Sequence, residues 1–186
     1  MHDKRAIHSR KTLVEAGLAE LPANPMASLT EIAEVAGVSR ATLYRHFDSR
    51  ETLIEEILRV CLDQVFEKLA PLHSKKLRGK EFLVQTFELL LPLADRLKFL
   101  TMFWQYGEKI LKEDPRCIMM GQEKERAIEE AKNDGDIRVE LPTIWVANSY
   151  GALIYSAWEM VSAGQLSIED VTKYVVTTFF DGVGVG

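Results

Sequence analysis

The chain has few of the groups that most protein chemistry needs. Its 186 residues include two cysteines and four histidines. Cys61 and Cys117 stand apart, with no CxxC pair and no histidine cluster near them, which argues against a disulfide framework or a metal site; both read as buried thiols. His2, His8, His46 and His73 are scattered, and the chain has no HExxH, nucleophile elbow or glycine-rich phosphate loop. No paired carboxylates stand out for acid–base work, and Glu88, Asp95, Glu108 and Glu159 lack the Glu-x-x-His steps of a bundle-core metal site. The expectation is no enzyme activity, no metal and no cofactor. No apolar run is long enough to cross a bilayer, and Met1-His2-Asp3-Lys4-Arg5 carries no hydrophobic signal core, so a cytoplasmic protein without membrane attachment is expected. Period-two alternation, internal repeats and low-complexity tracts are missing as well, which leaves an all-α protein.

Net basic charge is also lacking. The formal charge is −5, but it is unevenly placed. Residues 1–50 carry seven basic side chains (Lys4, Arg5, Arg10, Lys11, Arg40, Arg45, Arg50) against six acidic ones, a net of +1, and the rest of the chain carries −6. That asymmetry orients the first segment toward an anionic partner, through a weak field that needs positioned contacts and two copies to give affinity.

What is present is helical periodicity. Ile7, Val14, Leu18 and Leu21 mark one face of a first helix. A long fourth helix carries Leu53, Ile54, Ile57, Leu58, Cys61, Val65, Phe66 and Leu69 and ends at Pro71, with a basic polar loop at 73–80. A fifth carries Phe82, Leu83, Phe87, Leu90 and Leu91 until Pro92 ends or kinks it, and a sixth runs from about 97 to 112. Asp114-Pro115 caps and opens a seventh helix that stops at Gly135; an eighth runs from Pro142 to near Gly164, and a ninth from Ser167 to near Gly182. About nine helices are expected.

Residues 28–47 carry the most information. Ser28 and Glu31 have the spacing of a capping box. Ile32, Ala33 and Ala36 share a face on which small Ala33 lets a second helix cross closely. Gly37 stops the helix, Val38 folds back into the core and Ser39 caps a second short helix. Leu43 and Phe47 point inward, leaving Arg40, Ala41, Thr42, Tyr44, Arg45 and His46 outward or at the rim. That is a helix-turn-helix whose exposed face suits a major groove. Arg40 and Arg45 suit guanine or phosphate, Thr42 and Tyr44 suit phosphate or a thymine methyl, and Ala41 allows close approach to bases. The same two-helix corner also occurs in proteins that never meet DNA, so the competing reading is a helical small-molecule-binding or scaffold protein without DNA binding.

Ala33, Gly37, Val38, Ser39, Thr42, Leu43, Tyr44, His46, Phe47 and Ser49, followed by Arg50-Glu51-Thr52-Leu53-Ile54, sit at the spacings of the tetracycline-repressor (TetR) family of transcriptional regulators. The resemblance is specific over residues 4–58. The segment Leu18-Ala19-Glu20-Leu21-Pro22-Ala23-Asn24-Pro25-Met26 departs from it, because two prolines replace the family's aromatic and glycine-aromatic pattern. The resemblance implies phosphate contacts from Thr30, Ser39, Tyr44, His46 and Arg50, and from Lys4, Arg5 and Arg10 of the first helix. It places Arg40, Ala41, Thr42 and Arg45 nearest bases. It further implies a three-helix DNA-binding domain at 1–48, a helical effector-binding and dimerisation domain at 49–186, and a repressor released from a palindromic operator by a small ligand.

The second half supplies material for both of those expectations. The eighth helix is apolar on nearly all sides and the ninth has a similar excess, so a second copy is expected to cover Trp145, Ala152, Val171, Tyr174, Val175 and Phe179 in a four-helix homodimer interface. Phe87, Met102, Phe103, Trp104, Tyr106, Met119, Met120, Asn148, Tyr155, Trp158 and Glu159 are candidates to line an apolar effector pocket, with Glu159 suited to a cationic ligand.

Overall fold

The computed structural model describes the backbone of residues 2–183 and the side chains within it except at 2–5, 73, 109, 111 and 183. The all-α expectation holds. The described residues form ten α-helices: α1 (His2–Glu20), α2 (Leu29–Val35), α3 (Arg40–His46), α4 (Arg50–Leu69), α5 (Gly79–Leu90), α6 (Ala94–Met102), α7 (Trp104–Glu113), α8 (Pro115–Asn133), α9 (Thr143–Ser162) and α10 (Ile168–Val183). There is one more than the periodicity suggests, because the helix expected over 97–112 breaks at Phe103. There the Tyr106 amide bonds back only three residues, to the Phe103 carbonyl at 3.0 Å, while the Phe103 ring stacks on Phe99 with centroids 4.5 Å apart. Pro71 and Pro92 each sit in a short 3₁₀ turn that ends the preceding helix, as a residue without an amide hydrogen must.

The chain divides into two compact units. The first runs to Asp63 and takes in Phe99–Ile110; the second comprises Gln64–Lys98 and the chain from Leu111 onward. In the first, Leu13, Val14, Leu18 and Leu21 of α1 pack with Ile32 and Ala33 of α2, Leu43 of α3, Leu53, Ile54, Ile57, Leu58 and Cys61 of α4, and the Phe99 and Phe103 rings. Ile7, expected on this inward face, is 61 % exposed instead; the buried stripe of α1 starts two turns further on, at Leu13.

In the second unit, α5 packs on α8, α8 on α9 and α9 on α10. Its core is built from Phe82, Leu83 and Phe87, Ala127, Ile128 and Ala131, Val146, Tyr150, Ile154 and Trp158, and Val171, Val175, Phe179 and Phe180. The buried Tyr150 hydroxyl donates to the Leu83 carbonyl at 2.7 Å, and burial pushes its pKa far above the usual phenol value. Gly79 opens α5 at φ +46°, where a Cβ would lie 3.2 Å from the Ala131 amide nitrogen, so α5 starts hard against α8. Asp114 caps α8 by accepting from the Arg116 amide at 2.9 Å, and Ser167 caps α10 by accepting from Asp170 at 3.1 Å. Cys61 is buried, whereas Cys117, expected to be buried too, is half-buried near the start of α8.

Candidate nucleic-acid interface

The two short helices of the reader owe their ends to local chemistry. Ser28 Oγ accepts from the Glu31 amide at 3.2 Å while Glu31 Oε2 accepts from the Ser28 amide at 2.7 Å, a complete capping box. These Ser28 hydrogen bonds hold the Glu31 carboxyl below the usual carboxylate range. Gly37 turns at φ +64°, a conformation that costs an L-residue about 1 kcal/mol, and Val38 donates back to Ala33 at 2.9 Å. Ser39 Oγ accepts from the Thr42 amide at 3.3 Å, which starts α3. Leu43 and Phe47 are then buried, each contributing roughly 1.5–3 kcal/mol of apolar burial and fixing the roll of α3.

That roll turns Arg40, Ala41, Tyr44 and Arg45 to solvent, with Thr42, His46 and Thr30 of α2 partly exposed beside them. Tyr44 is 54 % exposed, unusually high for an aromatic side chain without a role in packing. The polar atoms are already ordered: Ser39 Oγ donates to Thr42 Oγ1 at 3.0 Å, and Arg45 Nη2 donates to the same oxygen at 2.9 Å. Arg45 is thereby laid along the outer face with most of its N–H groups free of that bond. Arg40 Nη2 lies 3.6 Å from Glu34 Oε1 across the turn, an exposed pair of little strength that an incoming phosphate or base can displace. Desolvation lowers the His46 pKa first, and the charges of Arg10 and Arg45 lower it further.

Two arginines associated with phosphate by the resemblance point elsewhere. Arg10 Nη2 pairs with Glu56 at 2.9 Å, its Nη1 donates to the His46 carbonyl at 3.4 Å, and its guanidinium lies 4.8 Å over the Phe47 ring, so it buttresses the back of α3. Arg50 donates through Nε to the Ala27 carbonyl at 3.0 Å, through Nη2 to the Pro25 carbonyl, and through Nη1 to the Tyr106 hydroxyl at 3.4 Å. The side chains of Lys4 and Arg5 lie outside the described residues. Glu34, Glu56 and Tyr106 are the partners that sequence reasoning missed; Glu34 is six residues from Arg40, a spacing that no single helix makes adjacent.

The effector candidates fall in both units. Phe103 is buried in the core of the first unit, with Tyr106 half-buried against it at 6.2 Å, and Met102 and Trp104 are exposed. In the second unit Phe87 and Trp158 are buried, Met120 is half-buried and Met119, Asn148 and Tyr155 are exposed; Asn148 donates to the Ile144 carbonyl at 2.7 Å. Glu159, the candidate for a cationic ligand, already has a cation: Lys98 Nζ is 3.1 Å from its Oε1. Trp158 Nε1 and Thr86 Oγ1 are buried without a hydrogen-bond partner among the described residues. Of all these candidates only Phe87 lines the narrow apolar crevice between Leu83, Tyr150, Val175 and Phe179, which has room for about one water. Among the described residues no group of three or more His, Cys, Asp or Glu is placed to hold a metal ion. None of the described helices is long and apolar enough to cross a membrane.

On α9, Ile144, Trp145, Gly151, Ala152, Tyr155 and Met160 form an exposed stripe, and Tyr174 is exposed on α10. Val171, Val175 and Phe179, expected beside them, are buried in the chain's own core.

Comparison with known proteins bears on the same segment. Residues 13–57 match the sequence profile described as bacterial regulatory proteins, tetR family. Over 167 residues the chain is 24 % identical to the HTH-type transcriptional repressor KstR2 of Rhodococcus jostii, covering 84 % of this chain and 80 % of that one. It is similar in fold to the TetR-like regulator LfrR from Mycobacterium smegmatis in complex with proflavine (TM-score 0.66, 22 % identity, 94 % and 96 % of the two chains). It is similar too to the ketosteroid transcriptional regulator KstR2 of Mycobacterium tuberculosis (TM-score 0.71, 19 % identity, 95 % of each chain). Over residues 13–57, then, the capped helix-turn-helix is similar in sequence to the tetR family of bacterial regulatory proteins, and over nearly its whole length the chain shares its helical fold with solved TetR-like regulators.

Proposed function

We propose that the chain acts as a homodimeric transcriptional repressor that sets one α3 into each of two successive major grooves of a palindromic operator and leaves DNA when a small hydrophobic molecule binds. The observation that carries the DNA-reading part is the outer face of α3, where Arg40, Tyr44 and Arg45 stand exposed and Thr42 partly exposed over a buried Leu43 and Phe47. In this reading Arg40, Ala41, Thr42 and Arg45 approach base edges, and Thr30, Ser39, Tyr44 and His46 hold phosphates. The exposed apolar stripe of α9, continued by Tyr174 of α10, supports a second copy as its cover. We place the reader at 1–48, the effector and dimer functions at 49–186, and the protein in the cytoplasm, where its operator lies.

The effector reading rests on the buried, unpartnered Trp158 Nε1 and Thr86 Oγ1 of the second unit, polar groups that a bound molecule can satisfy. LfrR was solved with proflavine, a ligand of that protein; here Lys98 already neutralises Glu159, which favours an uncharged effector. The test is selection of random duplex DNA on the purified protein, with a salt titration of the enriched site. A palindromic site whose affinity falls steeply with salt, and which Arg40→Ala weakens by about 1–3 kcal/mol with relaxed sequence preference, is the expected result. No enrichment at low salt overturns the reading and leaves a helical scaffold.

A further inference from the structure

We infer that Arg50 is a positioning residue for the reader and not one of its phosphate ligands: it clasps the two-proline linker before α2 to Tyr106 of α7. The inference rests on the DNA-reading function proposed above and deepens it.

The linker is where this chain needs such a device. Pro22 and Pro25 prevent helix across it and supply no amide donors, and its own hydrogen bonds end with Ala23 and Asn24 on the Glu20 carbonyl and Ala27 on the Asn24 carbonyl. The Pro25 and Ala27 carbonyls take no backbone partner among the described residues, although the Ala27 side is buried. Arg50, the first residue of α4, fills both: Nη2 reaches Pro25 and Nε reaches Ala27 at 3.0 Å. A planar fork of donors suits two carbonyls on one strand of chain in a way a lysine ammonium does not. The remaining nitrogen, Nη1, faces the Tyr106 hydroxyl at 3.4 Å, and Cζ lies 5.9 Å from that ring's centroid. Tyr106 is in turn braced on Phe103, and Phe103 on Phe99 in the core. Because Ala27 immediately precedes the Ser28 cap, the clasp fixes where α2 starts, and α2 carries α3 through the Gly37 turn. Each of the three guanidinium nitrogens therefore has a partner within the protein.

The two roles separate cleanly in the protein as it exists. Arg50→Lys keeps a charge for a phosphate but loses the fork, and Arg50→Ala loses both; Tyr106→Phe removes the far anchor with no change of charge. Each variant is titrated with the enriched duplex at several salt concentrations, and amide exchange over residues 23–36 is followed in the DNA-free protein. A positioning role predicts that Arg50→Lys and Arg50→Ala both weaken binding, roughly tenfold, with the salt slope of the wild type. It also predicts faster exchange across 23–36 in both, and in Tyr106→Phe to a smaller extent. Wild-type affinity in Arg50→Lys, with a slope shallower by about one per reader in Arg50→Ala, makes Arg50 a phosphate ligand and overturns the inference. Unchanged exchange in all three variants overturns it as well. If wild-type protein enriches no duplex at all, the DNA reading fails while the exchange measurement still decides the clasp.

Discussion

The guanidinium of Arg10, on α1, lies 4.8 Å over the ring of Phe47, the residue that caps the C-terminus of α3, and the same group pairs with Glu56 of α4. One side chain thus ties three helices behind the reader's exposed face. Arg10→Met keeps the aliphatic stem and loses the stack on Phe47, the ion pair and the bond to the His46 carbonyl. Arg10 is partly exposed, so the expected cost is about 1 kcal/mol in urea unfolding. The salt slope of DNA binding should stay that of the wild type, since the guanidinium is taken up by Glu56 and the His46 carbonyl; a slope shallower by about one per reader would place Arg10 on a phosphate.

Glu34 opposes the function of the face it borders. Its carboxylate holds Arg40 at 3.6 Å and adds a negative charge beside the approaching phosphates. Glu34→Gln should therefore tighten DNA binding by about two- to fivefold at low salt, through a faster association rate, and the gain should shrink as salt rises. Equal affinities for the two proteins across a salt series would mean that Arg40 leaves Glu34 at no cost.

With His46 on a phosphate, as proposed, the reader's pH dependence takes opposite signs in the free and the bound protein. In the free protein its pKa is lowered from 6.5 by desolvation, Arg10 and Arg45, so between the folded value and 6.5 the unfolded chain binds more proton. That contribution to stability is full above pH 6.5, falls as pH drops below it, and levels off under the folded pKa. A phosphate beside the ring reverses the preference by stabilising the imidazolium. Operator affinity should rise as pH falls through the bound-state pKa toward the lowered pKa of the free protein, with proton uptake on binding, and His46→Gln should flatten the profile. A wild-type profile as flat as the variant's would remove His46 from the phosphate contacts.

The reader was legible in the sequence because what shapes it is local. The Ser28–Glu31 box, the Gly37 turn, the Ser39 cap and the inward pair Leu43 and Phe47 all act within a few residues of one another. What the sequence hid is long-range. Arg50 finds its acceptors 23 and 25 residues back and Tyr106 56 residues on, and Glu159 finds Lys98 61 residues away, separations at which a lone charge in a sequence carries no sign of its partner. Periodicity also misplaced Ile7, which continues the stripe of Val14 and Leu18 but lies beyond the core's edge. The second half reads as helices but not as a pocket, because aromatic and methionine side chains at helical spacing serve core packing and ligand contact alike.

The stripe on α9 allows the dimer to be tested without touching the fold. Ala152 is exposed next to Gly151, in the middle of a row running from Ile144 and Trp145 to Tyr155 and Met160, and none of these is among the buried core residues. In a two-fold interface the centre of the patch meets itself, so Ala152→Arg sets like charges and two long side chains against each other. The variant should keep the helical content of the wild type and run as a monomer in light scattering at micromolar concentration, where the wild type is expected to run as a dimer. Its affinity for a palindromic site should drop to that of a single reader on a half-site, because the second contact no longer comes at the effective concentration set by the first. A variant that remains dimeric with full operator affinity would move the interface off α9 and leave its apolar face to another partner.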